Sequence, residues 1–106
     1  MGRRPGYATL AVLRALAEGP GYGLDIMART ELPSGTVYPL LARLDRDGLA
    51  RARWEREAVA AAEGRPRRRY HQLTARGRRE LAAMLREWRP LTDPLPAPGK
   101  ARPEEA

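Results

Sequence analysis

The period of the apolar residues changes twice along this chain, and the order of those changes restricts the folds open to it. From Tyr7 to Glu18, Leu10, Leu13, Leu16 and Ala17 recur at steps of three and four, the mark of a helix with one buried face. Gly19-Pro20-Gly21 stops that helix, because Pro disfavours helical dihedrals in the residue before it and Gly supplies those of a turn. A short second helix is predicted from about Tyr22 to Glu31, with Leu24, Ile26 and Met27 as its apolar contacts and Leu32-Pro33 as its end. Ser34 stands at the N-cap of a third, whose Val37, Leu40, Leu41 and Leu44 fall on one face. It ends at Gly48, suited to a left-handed C′ position, with Leu49 placed for the hydrophobic contact that follows such a cap. Pro39 in the second turn removes one backbone hydrogen bond and predicts an irregular start.

Leu49 to Glu57 then alternates charged and apolar residues, which is period two and reads as strand, and a second strand reads from Arg67 to Leu73. Ala58 to Pro66 between them reads as a loop, although Ala58-Val59-Ala60-Ala61-Ala62 suits a helical turn as well. Thr74 caps a last helix over 74–89, where Leu81, Met84, Leu85 and Trp88 return to helical spacing, and Pro90 ends it.

Three helices, two strands joined by an arginine-bearing loop, and a further helix give an α+β, mainly helical fold, a winged helix-turn-helix with a C-terminal helix. Residues 7–89 form its one domain, 1–6 a flexible N-terminus, and 90–106 a tail whose prolines and scarce large apolar residues predict disorder. A domain from a 106-residue chain is marginal alone. Cysteine is absent and His71 is the single histidine, so neither disulfides nor a structural zinc site can reinforce it. Self-association is the remaining route. The basic start Met1-Gly2-Arg3-Arg4 leads into an apolar stretch broken by Arg14, which does not read as an export signal, and no run approaches the roughly 18 apolar residues of a membrane helix. The expectation is a soluble cytoplasmic protein without membrane contact, metal or cofactor.

The net charge of +7 points to a polyanionic partner, and its location says more than its sum. Residues 1–49 carry six Arg against five acids, residues 51–69 seven Arg against three, and residues 74–89 five against two. An enzyme is disfavoured: there is one His, one Ser, no Cys, and no carboxylate pair in apolar surroundings. Gly19, Gly21 and Gly23 follow no strand and are too closely spaced for a dinucleotide fingerprint.

Three blocks of the chain resemble the PadR-like winged-helix transcriptional regulators. The first is Leu16-Ala17-Glu18-Gly19-Pro20-Gly21-Tyr22-Gly23-Leu24; the second runs from Gly35-Thr36-Val37-Tyr38-Pro39 to Leu44, with Asp47-Gly48-Leu49; the third is Arg67-Arg68-Arg69-Tyr70-His71-Gln72-Leu73-Thr74 with Gly77-Arg78. His71 stands where the family usually has Tyr, and with a single C-terminal helix the chain resembles the short branch. The resemblance implies a DNA-binding regulator acting as a homodimer joined through the last helix with the first helping, and repression is the expected outcome.

On a helical wheel the third helix turns Val37, Leu40, Leu41 and Leu44 inward and leaves Pro39, Ala42, Arg43 and Arg46 outward, flanked by Thr36 and Tyr38. Its N-terminal part is the segment that enters the major groove in helix-turn-helix proteins, so Ser34, Gly35, Thr36, Tyr38, Pro39, Arg43 and Arg46 are the expected contacts with double-stranded DNA. Arg43 suits bidentate reading of guanine, while Ser34 has a competing role as a cap and Arg43 and Arg46 one as a solvated face. Arg51, Arg53, Arg65, Arg67, Arg68 and Arg69 suit phosphates around the wing, and Trp54 is expected to pack on the core. Leu81, Met84, Leu85 and Trp88 are the expected dimer seam, where a small flat apolar effector between two Trp88 side chains is a lesser expectation. An RNA- or protein-binding winged helix is the alternative, because a fold does not fix its partner.

Overall fold

The computed structural model describes residues 6–92, with the side chains of 89–92 left aside. The expectations for the segments before residue 6 and after residue 92 lie outside the described residues. The elements follow in the order α1 (Tyr7–Ala17), β1 (Gly21–Tyr22), α2 (Gly23–Thr30), α3 (Ser34–Arg46), β2 (Ala50–Trp54), α4 (Glu57–Ala62), β3 (Arg69–Leu73) and α5 (Ala75–Thr92). The architecture is the winged helix read from the sequence, with two additions. Gly21–Tyr22 forms a third strand, giving an antiparallel sheet of order β1-β3-β2 with Gly21 opposite His71 and Tyr22 opposite Tyr70. Two residues are too few to display a period, so this strand could not announce itself. The wing segment holds a helix, α4, with Ala60 buried, where the sequence reads as a loop or a helical turn; an alanine run has high helical propensity and no side-chain entropy to lose.

The core gathers around α1, whose Leu10, Val12, Leu13, Ala15 and Leu16 are buried against Ile26 of α2, Leu41 and Leu44 of α3, and Leu81 and Met84 of α5. Val12 and Ala15 lie outside the stripe read from the sequence, because α1 is covered by elements on more than one side. Leu81 and Met84 also correct an expectation. They are buried within this chain, Met84 with 2% of its surface exposed, so the core of the protomer already covers side chains assigned to a dimer seam. Trp88 is half-buried against the same core, and of the four only Leu85 is exposed. Helical spacing marks a buried face without naming what buries it.

The caps carry further differences. Ser34 is not the cap of α3: it is the first helical residue, Pro33 holds the N-cap position, and its carbonyl accepts from the N–H groups of Thr36 (2.9 Å) and Val37 (3.0 Å). The helix then continues unbroken through Pro39. At its other end the expected motif is present, with Gly48 at φ 79°, Leu49 N–H donating to Leu44 and Gly48 N–H to Asp45. Thr74 does cap α5, its hydroxyl accepting from Gly77 N–H at 3.0 Å and donating to the Gly48 carbonyl at 2.7 Å. That one side chain therefore fastens the start of α5 to the turn that leaves α3. Gly77 is required there, because a Cβ would collide with the Leu49 carbonyl. Pro90 does not end α5, whose helical backbone extends to Thr92.

Candidate nucleic-acid interface

α2 and α3 form the helix-turn-helix, and their packing is set by a missing side chain. The Tyr38 ring of α3 occupies the space a Cβ on Gly23 would take, so the first residue of α2 lets α3 approach closely. α2 is itself tied back to α1: Arg29 pairs with Asp25 at 2.9 Å and donates to the Ala15 carbonyl at 2.7 Å. With α3 held on that side, Ser34, Gly35, Tyr38, Pro39, Ala42, Arg43 and Arg46 face solvent, and Thr36 is half-buried. Tyr38 is 48% exposed, although the hydroxyl end of its ring lies against Gly23. Arg46 makes only a loose contact with Asp47, at 3.7 Å on the surface.

The six wing arginines do different things. Arg51 and Arg53 are exposed on β2 opposite Gln72 and Tyr70. Arg67 and Arg69 lie 5.6 and 5.3 Å from the Trp54 ring, flanking an indole that is 53% exposed. Trp54 therefore does not pack on the core as expected; it stands at the end of β2, past the helices that cover the sheet, and presents a cationic-aromatic cluster outward. Arg68 lies 4.1 Å over the Tyr22 ring and donates to the Tyr70 hydroxyl at 3.5 Å, a bond that favours its charged form, and it bridges the wing to β1. Tyr22 and Tyr70 meet edge to face at 5.5 Å beneath it.

Arg65 departs from its expected role. Its guanidinium grips both oxygens of Glu55 at 2.6 and 2.9 Å and Glu63 at 3.1 Å, so its charge is matched inside the protein and is not free for a phosphate. The hydrogen bond from Arg65, aided by the N–H of Arg68, holds the Glu55 carboxyl down to about 2, and the same bond to Glu55 pushes Arg65 upward. Sequence position could not separate Arg65 from Arg67, two residues away.

Between α3 and the wing lies a groove of about 810 Å³, bordered by Leu24, Tyr38, Trp54, Arg67 and Arg69, with His71 at its inner end. The groove thus sets Tyr38 and Ala42 of the third helix opposite Trp54, Arg67 and Arg69 of the wing, while Arg43, Arg46, Arg51 and Arg53 lie outside it. Leu24 and His71 were not among the expected site residues. Leu24, assigned to the core by its apolar character, is 63% exposed at this rim. His71 is 7% exposed, and its Nδ1 lies 3.2 Å from Asp45 on α3, a pairing across 26 positions that no local pattern reveals.

Among the described residues no cluster of potential metal ligands occurs, and no helix is long and apolar enough to cross a membrane. The model of the family described as the transcriptional regulator PadR-like family matches residues 12–83. No curated protein matches the chain by sequence. Among solved structures, a PadR family transcription regulator from Clostridium difficile R20291 superposes with a TM-score of 0.72 at 26% identity, covering 83% of this chain and 93% of that one. A PadR-like transcription factor from Bacteroides fragilis gives 0.67 at 28% identity, with 81% and 84% covered. Bacillus subtilis PadR, solved in complex with operator DNA, shares the fold at 22% identity and a TM-score of 0.62, over 73% of this chain and 46% of that one.

Proposed function

From the premise that this chain belongs to the PadR-like family of transcriptional regulators, we propose that it is a repressor that binds a pseudo-palindromic operator as a homodimer. Each protomer places the N-terminal half of α3 in the major groove, with Tyr38 and Arg43 toward the bases and Ser34, Gly35, Thr36, Pro39 and Arg46 around them. Arg51, Arg53, Arg67 and Arg69 meet backbone phosphates beside the wing, and Arg68 braces it from within. The observation that carries this reading is the groove in which exposed Tyr38 and Ala42 of α3 stand opposite Trp54, Arg67 and Arg69 of the wing. That the Bacillus subtilis relative was solved on operator DNA supports it. Bound at a promoter in the cytoplasm, such a dimer would obstruct polymerase.

With Leu81 and Met84 committed to the core, the dimer contact of this proposal narrows to the outer side of α5, where Leu85 is 37% exposed, helped by exposed Tyr7 of α1. Half-burial of Trp88 in its own protomer leaves less of its indole for an apolar effector at that contact.

The test is fluorescence anisotropy with a labelled duplex from the gene's own upstream region, a scrambled duplex, and single-stranded RNA, at two salt concentrations. Selective binding to the upstream duplex that weakens with salt, and loses selectivity in Arg43→Ala, is the expected result. Equal affinity for both duplexes, or preference for RNA, would overturn it.

A further inference from the structure

α5 opens with Arg76 and no acid in its first turn. The partial positive charge at the start of a helix disfavours a cation there, so Arg76 stands where an anion nearby would stabilise it. The helix end itself is already capped, because the Thr74 hydroxyl accepts from Gly77 N–H. The side chain of Arg76 instead lies over the turn that leaves α3, with one guanidinium nitrogen 3.5 Å from where a Cβ on Gly48 would sit. There it borders a hollow of about 590 Å³ between the end of α3, the edge strand β2 and the start of α5.

Arg51 of β2 and Arg69 of β3 border the same hollow, and Gly48, Ala50 and Ala52 leave space beside them. All three arginines are exposed. Among the described residues neither Arg51 nor Arg76 is paired with an acid, and Arg69 has only the Trp54 ring beside it. The one acid on the rim, Asp45, has both carboxylate oxygens within 3.3 Å of the His71 imidazole. Asp45 and Arg69 also border the groove between α3 and the wing, so the two depressions adjoin. We propose that this hollow seats a backbone phosphate of the duplex, held by Arg51, Arg69 and Arg76, and that α5 thereby contributes a DNA contact of its own. Guanidinium groups donate in forks that match phosphate oxygens. An open seat on the surface suits a phosphate on a polymer, which neighbouring contacts also hold, better than a free ion that this site alone would have to retain.

This inference rests on the DNA-binding reading, and its test separates the two. Affinity for the upstream and scrambled duplexes is measured across a series of salt concentrations for the wild type, Arg76→Gln and Arg78→Gln. Arg78→Gln removes the same charge from the same helix at an exposed residue that does not border the hollow. Arg76→Gln should lower the log-log salt slope by about one, and weaken both duplexes alike, because a phosphate contact carries no sequence information. Arg78→Gln should leave the slope near that of the wild type. With Arg76 freed from the helix start, the melting temperature without DNA should hold or rise. A slope unchanged in Arg76→Gln, or lowered equally in Arg78→Gln, would overturn the seat. Inorganic phosphate is also titrated without DNA, against chloride at matched ionic strength. If it raises the melting temperature of the wild type and not of Arg76→Gln while the DNA slopes agree, the hollow holds a free anion and the proposal falls. A wild type that binds neither duplex fails the DNA-binding reading on that result alone; one that binds with the same slope as Arg76→Gln fails only the seat.

Discussion

Glu55 and Arg65 close the base of the wing: one carboxylate takes two hydrogen bonds from one guanidinium, at 2.6 and 2.9 Å, across the ten-residue span that contains α4. The strand ends lie in the same clasp, because Glu55 N–H donates to the Arg68 carbonyl at 2.8 Å and Arg67 Nε donates to the Glu55 carbonyl at 2.8 Å.

A carboxyl lowered from 4.5 to about 2 on folding adds stability above its unfolded value and loses it as pH falls toward the folded one. The melting temperature should therefore drop between about pH 4.5 and about pH 2, and Glu55→Gln should flatten that part of the profile. Equal acid sensitivity in wild type and Glu55→Gln, followed by circular dichroism, would show that the clasp is not the group responsible.

Gly77 and Gly35 should respond in opposite directions to the same substitution. Alanine normally stabilises a helix relative to glycine by about 1 kcal/mol. At Gly35, where a Cβ would meet nothing, Gly35→Ala should raise stability by about 0.5–1 kcal/mol. At Gly77 the new methyl strikes the Leu49 carbonyl, a backbone atom that cannot swing aside, and Gly77→Ala should cost about 1–3 kcal/mol. Urea denaturation of both variants checks the pair of signs.

Neighbouring residues on α5 should separate folding from association. Met84→Ala removes a side chain that is 2% exposed and should cost about 2–5 kcal/mol of stability. Leu85→Glu changes a residue that is 37% exposed; it should leave the fold of the protomer nearly untouched, within about 0.5 kcal/mol, and shift dimer to monomer. Sedimentation velocity beside thermal melting distinguishes these outcomes, and a Leu85→Glu protein that remains dimeric would place the interface elsewhere.

Trp54 should matter more to binding than to stability. Its ring orders Arg67 and Arg69, an effect of about 0.5–1 kcal/mol at an exposed site. Trp54→Ala should weaken DNA binding about two- to fivefold, with Trp54→Phe intermediate, while the melting temperature moves little. A large loss of stability without loss of affinity would mean that the indole supports the fold instead.

Much of this molecule was legible in one dimension because its elements announce themselves locally. The stripe Val37, Leu40, Leu41, Leu44 is buried as read, the Gly48 turn has its expected left-handed geometry, and Thr74 caps the last helix. Ser34 misled because a serine before an apolar run satisfies the cap pattern whether or not its hydroxyl bonds, and here Pro33 takes the position. The outward set on α3 was also legible, since burying one side of a helix defines the other.

The order and type of the long elements, the sign of the charge and the half of the chain that carries it can all be read in one dimension. Those properties follow from periodicity and composition, which act over a few residues. Tertiary structure alone decided which surface each stripe meets and which charge is spent. It buried Leu81 and Met84 in the core of the protomer, gave Arg65 to Glu55 while leaving Arg67 beside Trp54, and brought His71 under Asp45. Each of these outcomes depends on residues distant along the chain arriving within a few ångströms, and spacing along a chain carries no record of that encounter.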